Sequence, residues 1–266
     1  MSIRAVIFDV SGTVLDFGSR GPVVAFVELF ARQGVVVTEA EARAPMGKHK
    51  LDHIRAMLAD PGVAARWREQ HGADASESDI QRLYHEFTPL QVEILERHSD
   101  VLPGVPELVQ QLRARGIRIA NTTGFESNMM DGLKRRAADG GYVPDLWVTP
   151  DLVGKGRPAP WMAFYAARQF DIYPMSDFVK VGDTLADIEE AYAAGMWSVA
   201  VVRHGNEVGL SREEFNDLSP DDQKLRLAAA GARLAVKKPH YIIDSTTDLL
   251  PIIDEIDARI ARGGRP

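Results

Sequence analysis

The chain reads as an α/β protein, a doubly wound, Rossmann-like parallel sheet with a helical cap domain inserted after the first strand. Two observations predict this. Short apolar, β-branched runs alternate with helical patterns over most of the length, as in proteins built from strand–helix–strand units. One long stretch, from about Gly21 to His98, breaks that rhythm: it is helical throughout, with no convincing strand.

The first strand is Arg4 to Val10, an unbroken apolar run that ends in Asp and a Ser-Gly-Thr turn. Gly18-Ser19-Arg20-Gly21-Pro22 introduces the helical stretch, and Ser99–Pro106 leads back. Residues 1–20 and 99–266 are therefore expected to form the core, and residues 21–98 the cap. Two chain crossings at one edge make a natural hinge. Further strands are expected at Ile117–Asn121, Leu146–Thr149, Phe178–Val181, Ser198–Val202 and Tyr241–Ile243. Helices are expected at Pro106–Arg115, Ser127–Ala138, Pro160–Phe170, Asp187–Ala194 and Thr247–Ala261, with Gly116 and Gly195 at C-terminal caps. Glu207–Lys238 is polar and helical, a surface excursion of unreadable role.

Composition bounds the function. With 266 residues, 45% of them hydrophobic and 26% charged, the chain can bury a core without staples. It has no cysteine, which excludes disulfides, thiolate zinc sites and cysteine nucleophiles. A formal charge of −7 argues against a nucleic-acid partner but not against a small anionic substrate. No apolar run approaches the roughly 20 residues that cross a bilayer, and no targeting segment is visible, so no membrane partner and a cytoplasmic location are expected. Asn121-Thr122-Thr123 matches the glycosylation sequon by chance, since it ends an apolar run.

Four short segments fall at predicted strand ends, the edge where open α/β sheets bind ligands. In Phe8-Asp9-Val10-Ser11-Gly12-Thr13, Asp9 can attack phosphorus and ligate a hard cation, while the turn offers backbone N–H groups to a phosphate. Thr122-Thr123-Gly124 offers a hydroxyl to a phosphoryl oxygen. Arg157, in Gly156-Arg157-Pro158, is a fixed cation. Gly182-Asp183-Thr184-Leu185-Ala186-Asp187 brings two carboxylates that can hold Mg²⁺ directly or through water. Singly these mean little, because an Asp ending a strand is usually a helix cap and a Gly-Asp turn is commonly only a turn. Their order along the chain carries the weight.

In that order they resemble the motifs of the haloacid dehalogenase superfamily: DxxGT, a Ser or Thr, a Lys or Arg, and GDxxxD. The resemblance spans nearly the whole chain. It implies that Asp9 is the nucleophile, that Asp183 and the Ser11 carbonyl are metal ligands, that Asp187 supports the metal from behind, and that the cofactor is Mg²⁺. The superfamily's phosphatases carry an Asp acid–base two positions after the nucleophile; here it is Ser11, whose hydroxyl cannot do that work near neutral pH. Either the enzyme is degenerate or its leaving group needs no such acid.

The cap holds a candidate substitute. If Pro45–Arg55 is helical, Met46, Lys50 and His53 fall at i, i+4 and i+7 on one face. From spacing alone a solvated basic helix is the better reading. His49 and His53 are also spaced i, i+4, but no Glu completes a zinc motif. The stretch from Phe8 to Arg55, with Thr122-Thr123-Gly124, Gly156–Trp161, Val181–Thr184 and Ala194–Trp197, closely resembles the phosphonoacetaldehyde hydrolase (phosphonatase) family. There a cap Lys in an MGxxK segment forms a Schiff base with the substrate aldehyde. Lys50 falls on that position, and Met46 and His53 match its neighbours.

The resemblance implies that Asp9, Lys50, His53, Thr123 and Arg157 are catalytic. It also implies that Ser11, Gly12, Met46, Gly124 and Phe125 border a small phosphonate, and that the chain is a homodimer. Lys50 must shed its proton to attack, helped by burial or by nearby charge such as Lys48 or His53. The family has Ala where this chain has Ser11, a small departure; two others, Ser19 for a Cys and Phe125 for a Tyr, put substrate identity and proton transfer in question. The rivals are a phosphatase or C–P hydrolase of the same superfamily acting on a related phosphonate or phosphate ester, a metal-free dehalogenase, and a non-catalytic scaffold. Ser11 speaks against the phosphatase, Asp183 against the dehalogenase, and the joint survival of Asp9, Arg157, Asp183 and Asp187 against the scaffold.

Overall fold

In the computed structural model, which describes residues 2–95 and 97–266, the apolar runs become one parallel sheet. Its six strands are β1 (Ala5–Phe8), β2 (Arg118–Thr122), β3 (Leu146–Val148), β4 (Phe178–Gly182), β5 (Trp197–Val201) and β6 (Tyr241–Ile243). They lie in the order β3-β2-β1-β4-β5-β6. Each predicted strand is present, with ends displaced by at most two residues. Helices cover both faces, so β1, β4 and β5 are buried along their length; this is why they read as unbroken apolar runs. The chain runs outward from β1 to one edge, then restarts at β4 on β1's other side. The crevice at that switch point, beyond the C-terminal strand ends, is the expected ligand site.

Between β1 and β2 lie α1 (Arg20–Arg32), α2 (Glu39–Arg43), α3 (Lys50–Ala59), α4 (Pro61–His71) and α5 (Glu77–Leu95). Their apolar faces close on one another. Phe26 of α1 stacks on Phe87 of α5 with ring centroids 4.4 Å apart, and Phe30 meets Trp67 of α4 edge-on at 6.5 Å. Each fully buried Phe of this kind contributes about 1.5–3 kcal/mol, so these helices have a core of their own making.

The remaining helices are α6 (Val105–Ala114), α7 (Met130–Asp139), α8 (Pro150–Val153), α9 (Trp161–Phe170), α10 (Leu185–Ala194), α11 (Arg212–Asn216), α12 (Pro220–Ala235) and α13 (Leu249–Ala261). Gly116 and Gly195 take positive φ just past α6 and α10, the left-handed cap expected of them. The Glu207–Lys238 excursion is α11 and α12, mostly exposed and anchored by Phe215, Ala230 and Leu234. Among the described residues no helix is long and apolar enough to cross a membrane.

Candidate active site

Asp9 follows the last residue of β1, and its backbone N–H donates to the Val181 carbonyl of β4 at 2.8 Å. That bond fixes the carboxylate above the switch point. The turn beyond it is shaped by Gly12, at φ 78°, where a Cβ would fall 2.3 Å from an oxygen of Asp183. Gly12 therefore packs against Asp183 and does not face the cavity. Thr13 Oγ1 donates to Asp183 Oδ1 at 3.0 Å, and the Asn206 N–H donates to Asp183 Oδ2 at 2.7 Å. His204 and Thr246 hold the turn from behind: His204 Nδ1 donates to the Gly12 carbonyl at 2.8 Å, and Thr246 Oγ1 to the Thr13 carbonyl at 2.6 Å. Asn121 Nδ2 reaches the Phe8 and Asp9 carbonyls, so the sequon asparagine is a buried tie between strand ends.

Arg157 does not stand at a strand end. The helix α8 separates it from β3, and a loop carries it over Asp9, where its guanidinium pairs with Asp9 Oδ1 at 2.8 Å and with Asp187 Oδ1. Asp187 lies in the first turn of α10. Its Oδ1 also meets Lys180 Nζ at 3.0 Å, and its Oδ2 accepts from Thr184 Oγ1 at 2.5 Å. Lys180 continues to Glu190 Oε2 at 3.1 Å and to Thr122 Oγ1 at 2.7 Å. The Thr122 hydroxyl is thus consumed beneath the site, whereas Thr123 lines the cavity and, among the described residues, its hydroxyl oxygen bonds only the Phe125 N–H, at 3.2 Å.

Carboxylate oxygens of Asp9, Asp183 and Asp187 all lie within 4.8 Å of one another. Around them four buried carboxylates (these and Glu190) face two buried cations, Arg157 and Lys180, leaving two formal negative charges. Burial and the charges of Asp9 and Asp187 push Asp183 well above the usual carboxylate range. Burial alone would raise Asp187 too, but Arg157 and Lys180 hold it below that range. This donor set fits a divalent cation with oxygen ligands. Asp183 and Asp9 are the groups short of positive charge; Asp187, with both oxygens bonded, supports them.

The inserted helices supply the opposite wall. The segment before α3 is not helical: Gly47, at φ 88°, breaks it, and Lys50 is the first residue of α3. Met46, Lys50 and His53 therefore do not form the helical stripe expected from spacing. Met46 comes to the cavity from the preceding turn and Lys50 from the helix end, while His53 lies behind. The solvated basic helix also fails at Lys50, which is only 3% exposed. Burial, then the charge of Arg157, brings the Lys50 amine down to about 7; Lys48 and His53 are not what lowers it. The His53 ring stacks on Phe26 at 3.8 Å and bonds the Ala42 carbonyl through Nε2 at 2.9 Å, which makes Nε2 the protonated nitrogen and leaves Nδ1 bare and unpartnered. His49 turns elsewhere, to Glu126 at 2.9 Å, so the two histidines share no ligand.

Asp9, Ser11, Ser19, Met46, Lys50, Thr123, Gly124, Phe125 and Arg157 thus line one cavity of about 20 Å³. That is room for about one water. The seam around it is tight on both sides. A Cβ on Gly47 would fall 2.3 Å from Thr184 Oγ1, and one on Gly124 would fall 2.5 Å from the Lys48 carbonyl. The Met-Gly and Thr-Gly dipeptides are therefore what lets the two halves close.

Comparison with known proteins gives the family. Residues 3–195 match the model of the haloacid dehalogenase-like hydrolases. The chain is 44% identical over 264 residues to a phosphonoacetaldehyde hydrolase of Nitratidesulfovibrio vulgaris, covering 99% of this chain and 94% of that one. It is 40% identical to one of Bacillus cereus, covering 97% of each. A solved phosphonoacetaldehyde hydrolase-like protein of Oleispira antarctica superposes with TM-score 0.98 at 42% identity, covering 100% of this chain and 96% of that one. The chain belongs to the phosphonoacetaldehyde hydrolase family.

Within that family's frame, the residues that sequence reasoning missed are structural partners of the ones it found. Lys180 and Glu190, joined through the Thr122 hydroxyl, form the buried floor under Asp187, and His204, Thr246 and Asn206 brace the Asp9 turn. Lys180 had one available signal, a lysine inside an otherwise apolar strand, Phe178–Gly182. Buried lysines are rare unless paired.

Proposed function

We propose that this chain hydrolyses the C–P bond of phosphonoacetaldehyde to acetaldehyde and phosphate, through a Schiff base on Lys50 and a phosphoryl group on Asp9, with Mg²⁺ as cofactor. One observation carries the reading: a buried amine with a depressed pKa shares a closed cavity with a carboxylate–arginine pair. Two reactive groups of opposite chemistry suit a substrate with an aldehyde at one end and a phosphonate at the other.

The amine acts first. Neutral Lys50 attacks the aldehyde carbon; the carbinolamine takes up a proton, loses water and becomes an iminium. The proton that the amine sheds passes to the carbinolamine oxygen, since burial and the charge of Lys50 hold the His53 ring well below the usual imidazole range and keep it neutral. An Asp9 oxygen then attacks phosphorus. The C–P electron pair moves into a carbon–carbon double bond, and the iminium nitrogen becomes a neutral enamine. This sink replaces the acid that Ser11 cannot be. Arg157 and the Thr123 hydroxyl are placed to donate to the phosphoryl oxygens. Protonation of the enamine at carbon and hydrolysis of the imine release acetaldehyde, and water attack at phosphorus frees Asp9.

Asp9, Asp183 and the Ser11 carbonyl would hold Mg²⁺, with Asp187 behind them; when bound, the ion keeps the carboxylates charged and neutralises the phosphonate. A cavity the size of one water cannot admit the substrate, so the inserted helices must open for entry and close for chemistry. The test is acetaldehyde release from phosphonoacetaldehyde with Mg²⁺ and with EDTA, for wild type and Lys50→Arg. Release is expected only for wild type with Mg²⁺, with a loss on the order of 10³-fold or more in the variant. Full activity in Lys50→Arg would end the Schiff-base mechanism.

A further inference from the structure

Lys50 differs from every other buried cation of the site. Arg157 and Lys180 each contact two carboxylates. Among the described residues Lys50 has no carboxylate within 4.0 Å, and the charge that acts on it most strongly is that of the like-charged Arg157. What its Nζ does face is aromatic. The Phe125 ring centroid is 4.7 Å away and that of Phe26 5.5 Å. The two rings are not equivalent. Phe26 is already stacked between His53 at 3.8 Å and Phe87 at 4.4 Å, so its faces are taken. Phe125 has no such stacking partner among the described residues, is 2% exposed, and is fixed through its N–H to Thr123 Oγ1.

That arrangement leaves a chemical problem. The free amine is best neutral, yet condensation with an aldehyde creates a positive charge on the same nitrogen, which among the described residues has no carboxylate within 4.0 Å. We propose that the face of Phe125 is the counterpart of that charge: it stabilises the iminium on Lys50 through its ring quadrupole, and so sets how much of the enzyme carries the adduct. This deepens the Schiff-base reading and rests on it. It also gives the phenylalanine a role that needs no hydroxyl. A desolvated cation within about 6 Å of a ring centroid gains enough for roughly a tenfold change in such an equilibrium. The effect belongs to iminium formation. At C–P cleavage the nitrogen becomes neutral and the ring's hold on it is released.

The experiment isolates iminium formation by using acetaldehyde, which has no C–P bond to break. The amine adds to the carbonyl carbon, a proton is taken up and water leaves; borohydride then delivers hydride to the iminium carbon, leaving N-ethyl-lysine at position 50, read by mass spectrometry. Phe125 is replaced by phenylalanines carrying progressively more ring fluorines, which weaken the quadrupole while keeping the shape, and separately by Leu. The expected result is a stepwise fall in trapped adduct at fixed acetaldehyde, reaching about tenfold for the fully fluorinated ring, with kcat/KM for phosphonoacetaldehyde falling in parallel. Equal trapping across the fluorinated series would overturn the role of Phe125 and leave the Schiff base standing. Absence of any adduct in wild type would overturn both. Fluorinating Phe26 is the control for position: its faces are covered, so a much smaller change is expected, and an equal one would refute the assignment to Phe125.

Discussion

The two walls of the cavity handle buried charge in opposite ways. On the sheet side Asp9, Asp187, Glu190, Arg157 and Lys180 are linked in one network, each cation touching two carboxylates. On the helical side Lys50 is equally buried and has no carboxylate partner within salt-bridge distance among the described residues. The difference teaches what each wall is for. A wall that must receive a phosphonate and a divalent cation needs charges held permanently in place. A wall that must supply a neutral amine near pH 7 needs a lysine denied both water and anions, because either would keep it protonated. Lys180 and Lys50 make the point most directly: the same side chain, buried to the same degree, is held protonated by its neighbours in one place and pushed toward neutrality in the other.

Stability should expose this contrast most strongly. Replacing Lys180 by Met leaves Asp187 and Glu190 short of a cation and should cost about 3–5 kcal/mol. Lys50→Met should have the opposite sign. Its pKa falls from 10.5 unfolded to about 7 folded, so between those values the unfolded chain binds the extra proton, and at pH 7 the wild-type lysine lowers stability. Methionine removes that penalty and should stabilise the fold. Urea unfolding of both variants decides it, and equal losses in the two would dissolve the distinction between the walls.

How much of this could be read in advance follows from where the information sits. The strands and the order of Asp9, Thr123, Asp183 and Asp187 are legible because each apolar run ends in residues whose chemistry is local to the chain. The helical stripe of Met46, Lys50 and His53 does not form because Gly47 is a break and not one more helix position; the spacing allows either, and packing against Thr184 decides which. Arg157 was put at a strand end because α8 is too short to announce itself. Lys180, Glu190 and His204 were passed over since one strand lysine, one helix glutamate and one loop histidine ordinarily face water. Their burial comes from neighbours distant along the chain.

A pH profile sharpens the comparison on the functional side. The free enzyme must present Lys50 neutral, so log(kcat/KM) should rise with unit slope below pH about 7, a tenfold gain per pH unit, and level off above it. The sign follows from the lowered amine: acid reprotonates it and removes the nucleophile. A flat profile across pH about 6 to 8 would mean that Lys50 is not the group whose deprotonation limits the reaction.

The smallest effect should come from the brace behind the sheet-side wall. His204 donates from Nδ1 to the Gly12 carbonyl and accepts at Nε2 from the Thr246 N–H at 3.2 Å. Burial brings its pKa to about 4, so near neutrality it stays uncharged and keeps this one tautomer. It contributes orientation, not charge, to the turn that carries Asp9. His204→Ala should cost about 1–2 kcal/mol in unfolding and lower kcat by a few-fold. His204→Asn, whose amide can still donate to Gly12, should recover most of the kcat and less of the stability. The Lys50 adduct trapped with acetaldehyde should be the same in all three proteins, because the amine belongs to the other wall. If His204→Ala reduced trapping as much as turnover, the two walls would be coupled through the Asp9 turn, and the separation between them would not hold.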